Sequence, residues 1–322
     1  MPLVSVIIPA FDAEAYLEQS VASVLGQSLV DIEILIVDDA SRDGTLVVAR
    51  RLAKADSRVR VIAAERNLGP AGARNLGLDS ATGDWVALLD ADDAFEPERL
   101  ARLLGAARDC GGDLLADNLL LEDESGQVEP MLPAVETPSC VPLSAVQFLL
   151  GNLPDPAQPR RSYGFLKPLI ARAFLVTKAL RYDEDLRFAE DFAFYLACFS
   201  AGARFYLLRE PLYRYRIRAD SLTAHHSIDD LRRLQLVDAR LLREQRAAAA
   251  GFVSALKRHK KSIDQRLQWR LVIGAMKRRA WIAALGASLK GWHVFGYVSI
   301  KLAGEAWRRL WRRDVRARAV ET

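Results

Sequence analysis

The feature that most constrains this chain is an alternation through its first 110 residues. Short apolar or β-branched runs alternate with segments of helical spacing. Val4-Ser-Val-Ile-Ile8, Ile32-Glu-Ile-Leu-Ile-Val37, Val59-Arg-Val-Ile62 and Trp85-Val-Ala-Leu-Leu89 read as buried strands, the first stopped by Pro9. Residues 13–27, 43–55 and 70–81 read as the helices between them, and a further helix follows over 96–109. Ser41 and Asp43 can cap the second helix, and Pro70 and Pro97 suit the first turns of the last two. This order demands right-handed crossovers and a mostly parallel sheet covered by helices, so the expected class is α/β. Ligands of such sheets sit beyond the carboxyl ends of the strands. The polar clusters fall there: Asp12, Asp38-Asp39, Asn67 and Asp90-Ala-Asp92-Asp93.

The crowding of carboxylates is the main chemical signal. A solvated turn that caps the next helix would account for Asp90, Asp92 and Asp93, and so would a site for a hard cation. Carboxylates at ~3–4 Å from one another repel unless a cation or proton intervenes. Mg²⁺ or Mn²⁺ takes oxygen ligands and is commonly completed by substrate phosphates. Other nucleotide sites lack their marks. No GxGxxG follows the first strand, and no GxxxxGK[ST] occurs. The four histidines form no HExxH or Cys/His zinc pattern. Cys110, Cys140 and Cys198 are far apart in sequence, which argues against a disulfide scaffold and fits a reducing compartment. The start, MPLVSVIIPAF, lacks the basic n-region of a signal peptide, so a cytoplasmic location is expected.

Charge is distributed unevenly. Residues 1–256 carry 28 basic against 37 acidic groups, and residues 257–322 carry 17 against 4. Five of the six tryptophans lie in that basic tail: Trp269, Trp281, Trp292, Trp307 and Trp311. An acidic body with a basic, Trp-rich tail points to an anionic surface as partner. No RRM, KH or helix-turn-helix signature favours nucleic acid. The tail's stretches free of charge near residues 280–300 reach only about ten residues, short of the ~20 that a membrane span needs. Trp281, Leu285, Leu289, Trp292 and Phe295 recur at helical spacing. Arg308, Arg309, Arg312, Arg313 and Arg316 surround Trp307, Leu310 and Trp311. An amphipathic helix at a lipid headgroup boundary is the expectation, with a packed bundle or a homodimer contact as the alternative.

Six stretches in order resemble the inverting glycosyltransferases of family 2, which have the GT-A fold. They are VSVIIPAFDAEAYL (4–17), SVLGQSLVDIEILIVDDASRDGT (23–45), NLGPAGARNLGL (67–78), GDWVALLDADD (83–93), AEDFAFYL (189–196) and YRIRADSLT (215–223). The body is similar to transferases of bacterial exopolysaccharide assembly of the succinoglycan type. The resemblance implies a GT-A domain over 1–225, with a nucleotide-sugar half (1–120) and an acceptor half (121–225), followed by a helical tail over 226–322. It implies that Pro9, Phe11, Asp12 and Glu14 surround the nucleotide, that Asp39 contacts the uracil edge and that Arg74 reaches the diphosphate. Asp90 and Asp92 would hold ribose and metal, with Asp92 and Asp93 as ligands of Mn²⁺ or Mg²⁺. Arg216, Arg218, Ser221 and Thr223 would add charge and hydrogen bonds from a closing loop. Asp191 would be the catalytic base and Glu190 would orient the site or the acceptor.

The expected function is inverting transfer of a hexose, glucose or galactose, from a UDP-sugar to a growing glycan. A lipid-linked oligosaccharide at the inner face of the plasma membrane is the expected acceptor. A non-catalytic sugar-nucleotide-binding protein of an assembly complex is the rival, against which stands the presence of both a metal cluster and Glu190-Asp191. Residues 122–165, rich in Pro, Gly and acid, read as loops around a helix at 143–151. Residues 165–170 read as a short strand, and 190–201 as a helix whose Phe192, Tyr195, Leu196 and Phe199 face the core.

Overall fold

A computed structural model describes residues 2–133, 140–155, 161–218, 227–244, 250–288 and 296–301. The chain divides into two compact units, Met1–His225 and His226–Thr322.

The first unit opens with the expected alternation: β1 (Val4–Ala10), α1 (Leu17–Leu25), β2 (Ile32–Asp38), α2 (Thr45–Ala55), β3 (Val59–Ala63), α3 (Gly69–Ser80), β4 (Trp85–Leu88), β5 (Ala94–Phe95) and α4 (Arg99–Cys110). There follow β6 (Leu114–Glu122), β7 (Val128–Pro130), β8 (Cys140–Pro142), α5 (Ala145–Gly151), a 3₁₀ turn at Tyr163–Phe165, β9 (Leu169–Ala171), α6 (Arg172–Thr177), α7 (Glu190–Ser200) and β10 (Phe205–Arg216). The sheet order is β3-β2-β1-β4-β9-β6-β10-β5, with β7 beside β6 and β8 beside β10. The pairs β1–β2, β1–β4, β2–β3 and β6–β10 are parallel, and the short β5, β7, β8 and β9 pair antiparallel. The two loops that carry Asp38-Asp39 and Asp90–Asp93 therefore lie on either side of β1, at the same end of the sheet.

Pro9 does not stop the first strand. Pro9 pairs with Val37 and Ala10 with Asp38 on β2, while β4 accompanies β1 only as far as Ile7↔Leu88. The missing N–H falls beyond the end of β4, where it has no ladder partner to lose. On the covered face, Gly77 of α3 lets the helix lie on β1: a Cβ there would stand 2.3 Å from Ile7 Cγ2.

Two long strands run where the sequence pattern predicts none. β6 holds Asp117 and Asn118, which break its apolar run yet are fully buried. Arg99 binds the Asp117 carboxylate at 2.7–3.1 Å, and Asn118 exchanges hydrogen bonds with the Leu132 backbone at 2.9 and 3.0 Å. β10 contains Pro211, and its register with β6 shifts on either side of that residue. Ser144 caps α5 through a capping box with Gln147. Phe148 of α5 packs on Phe192, Tyr195 and Phe199, so the stripe on α7 is core.

The second unit holds α8 (Ile228–Glu244), α9 (Ala250–Lys277) and α10 (Trp281–Ser288). Leu231, Leu234 and Leu241 of α8 and Leu256, Ile263 and Leu267 of α9 are buried, with Asp238 and His259 paired at 3.0 Å among the buried residues. Trp269, expected on a lipid-facing tail, packs with Val272, Met276, Tyr297 and Val298. Ile282 and Leu285 on α10 are exposed. Leu289, Trp292, Phe295, Trp307, Leu310, Trp311 and the arginines around them lie outside the described residues. Among the described residues, no helix is long and apolar enough to cross a membrane.

Candidate active site

The loops after β1 and β2 are knitted to each other by the acids of their motifs. Asp12 accepts the Arg42 N–H at 2.7 Å, and its own N–H reaches Ser41 Oγ. Glu14 accepts the Gly44 N–H at 2.9 Å, its N–H goes to Asp43, and the Ala13 N–H goes to Thr45 Oγ1. Asp12 and Ala40 stand at φ +48° and +57°. Aspartate tolerates that left-handed region better than most residues, and alanine there carries strain. Phe11 is left 42% exposed beside these loops, with the Arg42 guanidinium 5.9 Å from its ring. The expectation that Asp12 and Glu14 bind the nucleotide thus meets side chains already engaged by backbone N–H groups.

Asp39 is buried at the N-terminus of α3, where it accepts the Leu68 and Gly69 N–H groups at 2.7 and 2.9 Å. The N-terminus of α3 is thus capped from a neighbouring strand end. Burial pushes its carboxyl up against the pull of those two hydrogen bonds. Asn67 reaches the Asp39 carbonyl at 3.3 Å, bringing the third strand's loop into the same cluster.

The Asp90–Asp93 turn separates its acids by partner. Asp93 is buried and both its oxygens are committed, Oδ2 to the Tyr213 hydroxyl at 2.7 Å and Oδ1 to the Arg216 N–H at 2.9 Å. Burial, then the Asp92 and Asp90 charges, push its carboxyl well up. In this arrangement Asp93, expected as a metal ligand, fastens the turn to β10. Asp92 is half-buried, and burial together with Asp90 pushes it up as well. Its described partner is Arg218, 3.3 Å away, which stacks 4.3 Å over Tyr16. Arg216 also lies over Tyr16 and donates to Gln19. A carboxylate in need of positive charge, with Arg218 beside it, fits a cation held by one protein acid and completed by phosphate oxygens. Among the described residues no three His, Cys, Asp or Glu side chains gather as a metal group.

The third group joins distant parts of the chain. Glu190 and Asp191 open α7, turned there by Ala189 at φ +58°, a strained conformation for alanine. Arg74 of α3 reaches Glu190 at 2.5 Å, Asp90 at 2.8 Å and Asp191 at 3.7 Å. Lys167 reaches Asp191 at 2.6 Å and Asp90 at 2.9 Å. Burial would push Asp90 up, but the Lys167 and Arg74 charges outweigh it and hold the group well below the usual carboxylate range. Burial would likewise pull both cations down, and the acids around them outweigh it. Arg74, expected at the diphosphate, is here surrounded by three acids. The residue is 3% exposed, and its two terminal nitrogens face acids.

Lys167 carries no signal in the sequence, because a lysine between Phe165-Leu166 and Pro168 reads as the surface side of a strand. Tyr213 reads as one more aromatic in YRYR. Ser221 and Thr223 lie outside the described residues.

Residues 5–134 match the model of glycosyl transferase family 2. Over 292 residues the chain is 34% identical to the succinoglycan biosynthesis protein ExoU of Rhizobium meliloti (strain 1021), a match covering 89% of this chain and 82% of that one. The chain belongs to glycosyltransferase family 2. Two solved structures are similar at low identity. S. aureus TarS 1-349 in complex with UDP-GlcNAc matches at TM-score 0.64 and 16% identity, over 94% of this chain and 92% of that chain. The mannosyltransferase PcManGT from Pyrobaculum calidifontis, in complex with GDP-Man and Mn²⁺, matches at TM-score 0.56 and 20% identity, over 97% and 88%. These likenesses establish the fold: a mixed α/β sheet flanked by helices, of the GT-A kind.

Proposed function

We propose that this family 2 glycosyltransferase moves a hexose, glucose or galactose, from a UDP-sugar to a growing exopolysaccharide glycan, with inversion. The observation that carries the reading is the shared clamp: Lys167 binds Asp90 of the donor-side turn and Asp191 of α7 with one ammonium group. An acid suited to take a proton thereby stands one side chain away from the loop suited to the leaving diphosphate. ExoU, named for succinoglycan biosynthesis, supports the glycan class, and the UDP-GlcNAc bound to TarS supports a nucleotide-sugar donor.

The nucleoside lies against Phe11 and Pro9, with Asp39 at the uracil edge through the lone pairs it does not give to α3. Asp92 would hold Mn²⁺ or Mg²⁺ beside the diphosphate, a reading that the Mn²⁺ of PcManGT supports. The ion, when bound, offsets the negative charge that builds on the leaving group. Arg216 and Arg218 add to that field from the end of β10. Asp191 accepts the proton of the acceptor hydroxyl as that oxygen bonds to the anomeric carbon. The bond from that carbon to the diphosphate breaks, and its electron pair leaves with UDP. Arg74 holds Glu190 and Asp90 in place around this centre. The basic tail binds anionic lipid and presents the enzyme to a lipid-linked acceptor. Flotation with anionic vesicles tests the tail: full-length protein rises, and protein ending at residue 264 stays down.

Asp191→Asn tests the chemistry. It keeps shape and removes basicity, so UDP binding stays and transfer falls at least ~10²-fold. A near wild-type rate in that variant, with Glu190→Gln inactive, would move the base to Glu190.

A further inference from the structure

Arg74 already touches Asp90, Glu190 and Asp191, so the second cation in this cluster calls for its own explanation. Lys167 is 4% exposed, and its backbone is fixed by side chains from other elements. The Tyr195 hydroxyl of α7 donates to the Leu166 carbonyl at 2.9 Å. Arg99 of α4 donates to the Lys167 carbonyl. Arg99 is itself gripped by Asp117 of β6 and lies 4.2 and 5.1 Å from the Phe95 and Tyr213 rings. Pro168 holds Lys167 away from helical backbone. Ordering a buried lysine costs side-chain entropy, and a mount this rigid needs a return.

The return is an asymmetry in the Asp191 carboxylate. Its Oδ2 takes the Lys167 ammonium at 2.6 Å and faces Arg74 at 3.7 Å. Its Oδ1 is buried with no hydrogen-bond partner within 3.5 Å among the described residues, and the neutral Tyr182 hydroxyl is the donor that interacts with this carboxylate. A buried carboxylate oxygen left unpaired is costly and calls for an explanation, of which a catalytic role is one. Besides Lys167 and Arg74, the described groups near Asp191 are neutral or acidic. Burial and the Asp191 charge push the Tyr182 and Tyr195 phenols well up, which keeps them neutral, while Glu190 and Asp90 are acids.

We propose that Lys167 is a positioning residue. It pins Asp191 by Oδ2 so that Oδ1 is the oxygen offered to the acceptor hydroxyl, and its hold on Asp90 sets that oxygen's place relative to the donor turn. The proposal rests on Asp191 being the base, and the two can fail separately.

The test uses the full chain with Mn²⁺ and either UDP-glucose or UDP-galactose, whichever is turned over faster. Hydrolysis by water is followed as UDP release, and UDP binding by calorimetry. Lys167→Met is expected to lower kcat about 10²-fold, as a displaced reacting group does, with UDP affinity and donor KM within about threefold. Lys167→Arg restores part of the rate. Placed on Asp191→Asn, Lys167→Met changes kcat by less than about twofold, because a group that acts through another has nothing left to act on. A Lys167→Met enzyme with wild-type kcat overturns the proposal while an inactive Asp191→Asn still upholds the base. Multiplying losses in the double variant, or parallel losses of UDP binding and kcat, also overturn it. Near wild-type rate in Asp191→Asn overturns the base and the positioning role together. If Lys167→Met does not fold, Lys167→Arg decides: reduced kcat at unchanged UDP affinity supports the role, and unchanged kcat refutes it.

Discussion

The acids at the open end of this sheet form two populations that look alike in sequence and differ in their partners. Asp12, Glu14, Asp39 and Asp93 accept backbone N–H groups, with a tyrosine hydroxyl as Asp93's second donor. Asp90, Asp92, Glu190 and Asp191 face arginine or lysine. A carboxylate held by N–H groups knits loops together, because those donors cannot leave. A carboxylate held by a side-chain cation keeps a charge that another cation or a proton can take over. On the proposed function, the type of donor separates framework from chemistry within one motif: Asp92 and Asp93 are neighbours in sequence and fall on opposite sides of the division.

The largest effect that can break this division is expected at Asp92. Asp92→Asn should lower turnover about 10²–10³-fold, the range for removing a group that stabilises developing charge, and should weaken Mn²⁺-dependent UDP binding. Excess EDTA should do the same to the wild type. Full turnover in EDTA would place Asp92 with the framework acids. At Asp93 the expectation reverses. Asp93→Ala leaves the Tyr213 hydroxyl and the Arg216 N–H unpaired and should cost about 1–3 kcal/mol of stability. The folded variant should bind UDP and Mn²⁺ within about threefold of wild type. Denaturant unfolding beside calorimetry checks both halves. Loss of metal-dependent binding at unchanged stability would return Asp93 to the metal.

The sheet core was legible because its strands read as short, largely apolar or β-branched runs. β1 to β4 lie within two residues of the expected bounds, and α3 within one. β6 and β10 were not legible, because each is broken by residues that normally end a strand. Asp117 is neutralised by Arg99 from α4, and Pro211 is absorbed by a register shift. Both remedies come from residues remote in sequence, so no local window contains them. The site divides the same way. DADD and AED were visible as acids, yet the cation joining them was not. Lys167 stands 77 residues from Asp90 and 24 from Asp191, in a stretch with no polar pattern. Arg74 was visible and assigned to phosphate, since a motif shows an arginine but not the three acids that the fold brings around it.

Asp39 tests the division at intermediate size. Its two oxygens hold adjacent N–H groups at the start of α3, and an asparagine in its place could accept with only one. Asp39→Asn should therefore cost about 1–2 kcal/mol from one lost hydrogen bond and a weaker charge at the helix N-terminus. If UDP affinity falls more than tenfold while stability is unchanged, the uracil edge and not α3 is what this carboxylate chiefly serves.

The smallest expected effect is at Asp12, and it is the most discriminating because a working acid there should respond strongly. Asp12 stands at φ +48° and accepts the Arg42 N–H at 2.7 Å through Oδ1. Asparagine tolerates that backbone region as well as aspartate does, and its carbonyl oxygen can accept the same N–H. Only the charge is removed, and an exposed charge facing a backbone donor adds little. Asp12→Asn should therefore change stability by less than about 0.5 kcal/mol and UDP affinity by less than about twofold. Asp12→Val is the opposing control. It removes the acceptor and puts a β-branched residue at positive φ, so about 2 kcal/mol or more should be lost as the two loops come apart. Denaturant titration of the three proteins gives the stabilities, and UDP calorimetry in the presence of Mn²⁺ gives the affinities. A tenfold loss of UDP binding in Asp12→Asn with wild-type stability would mean that the charge itself meets the nucleotide. Donor type would then no longer separate the two populations of acids.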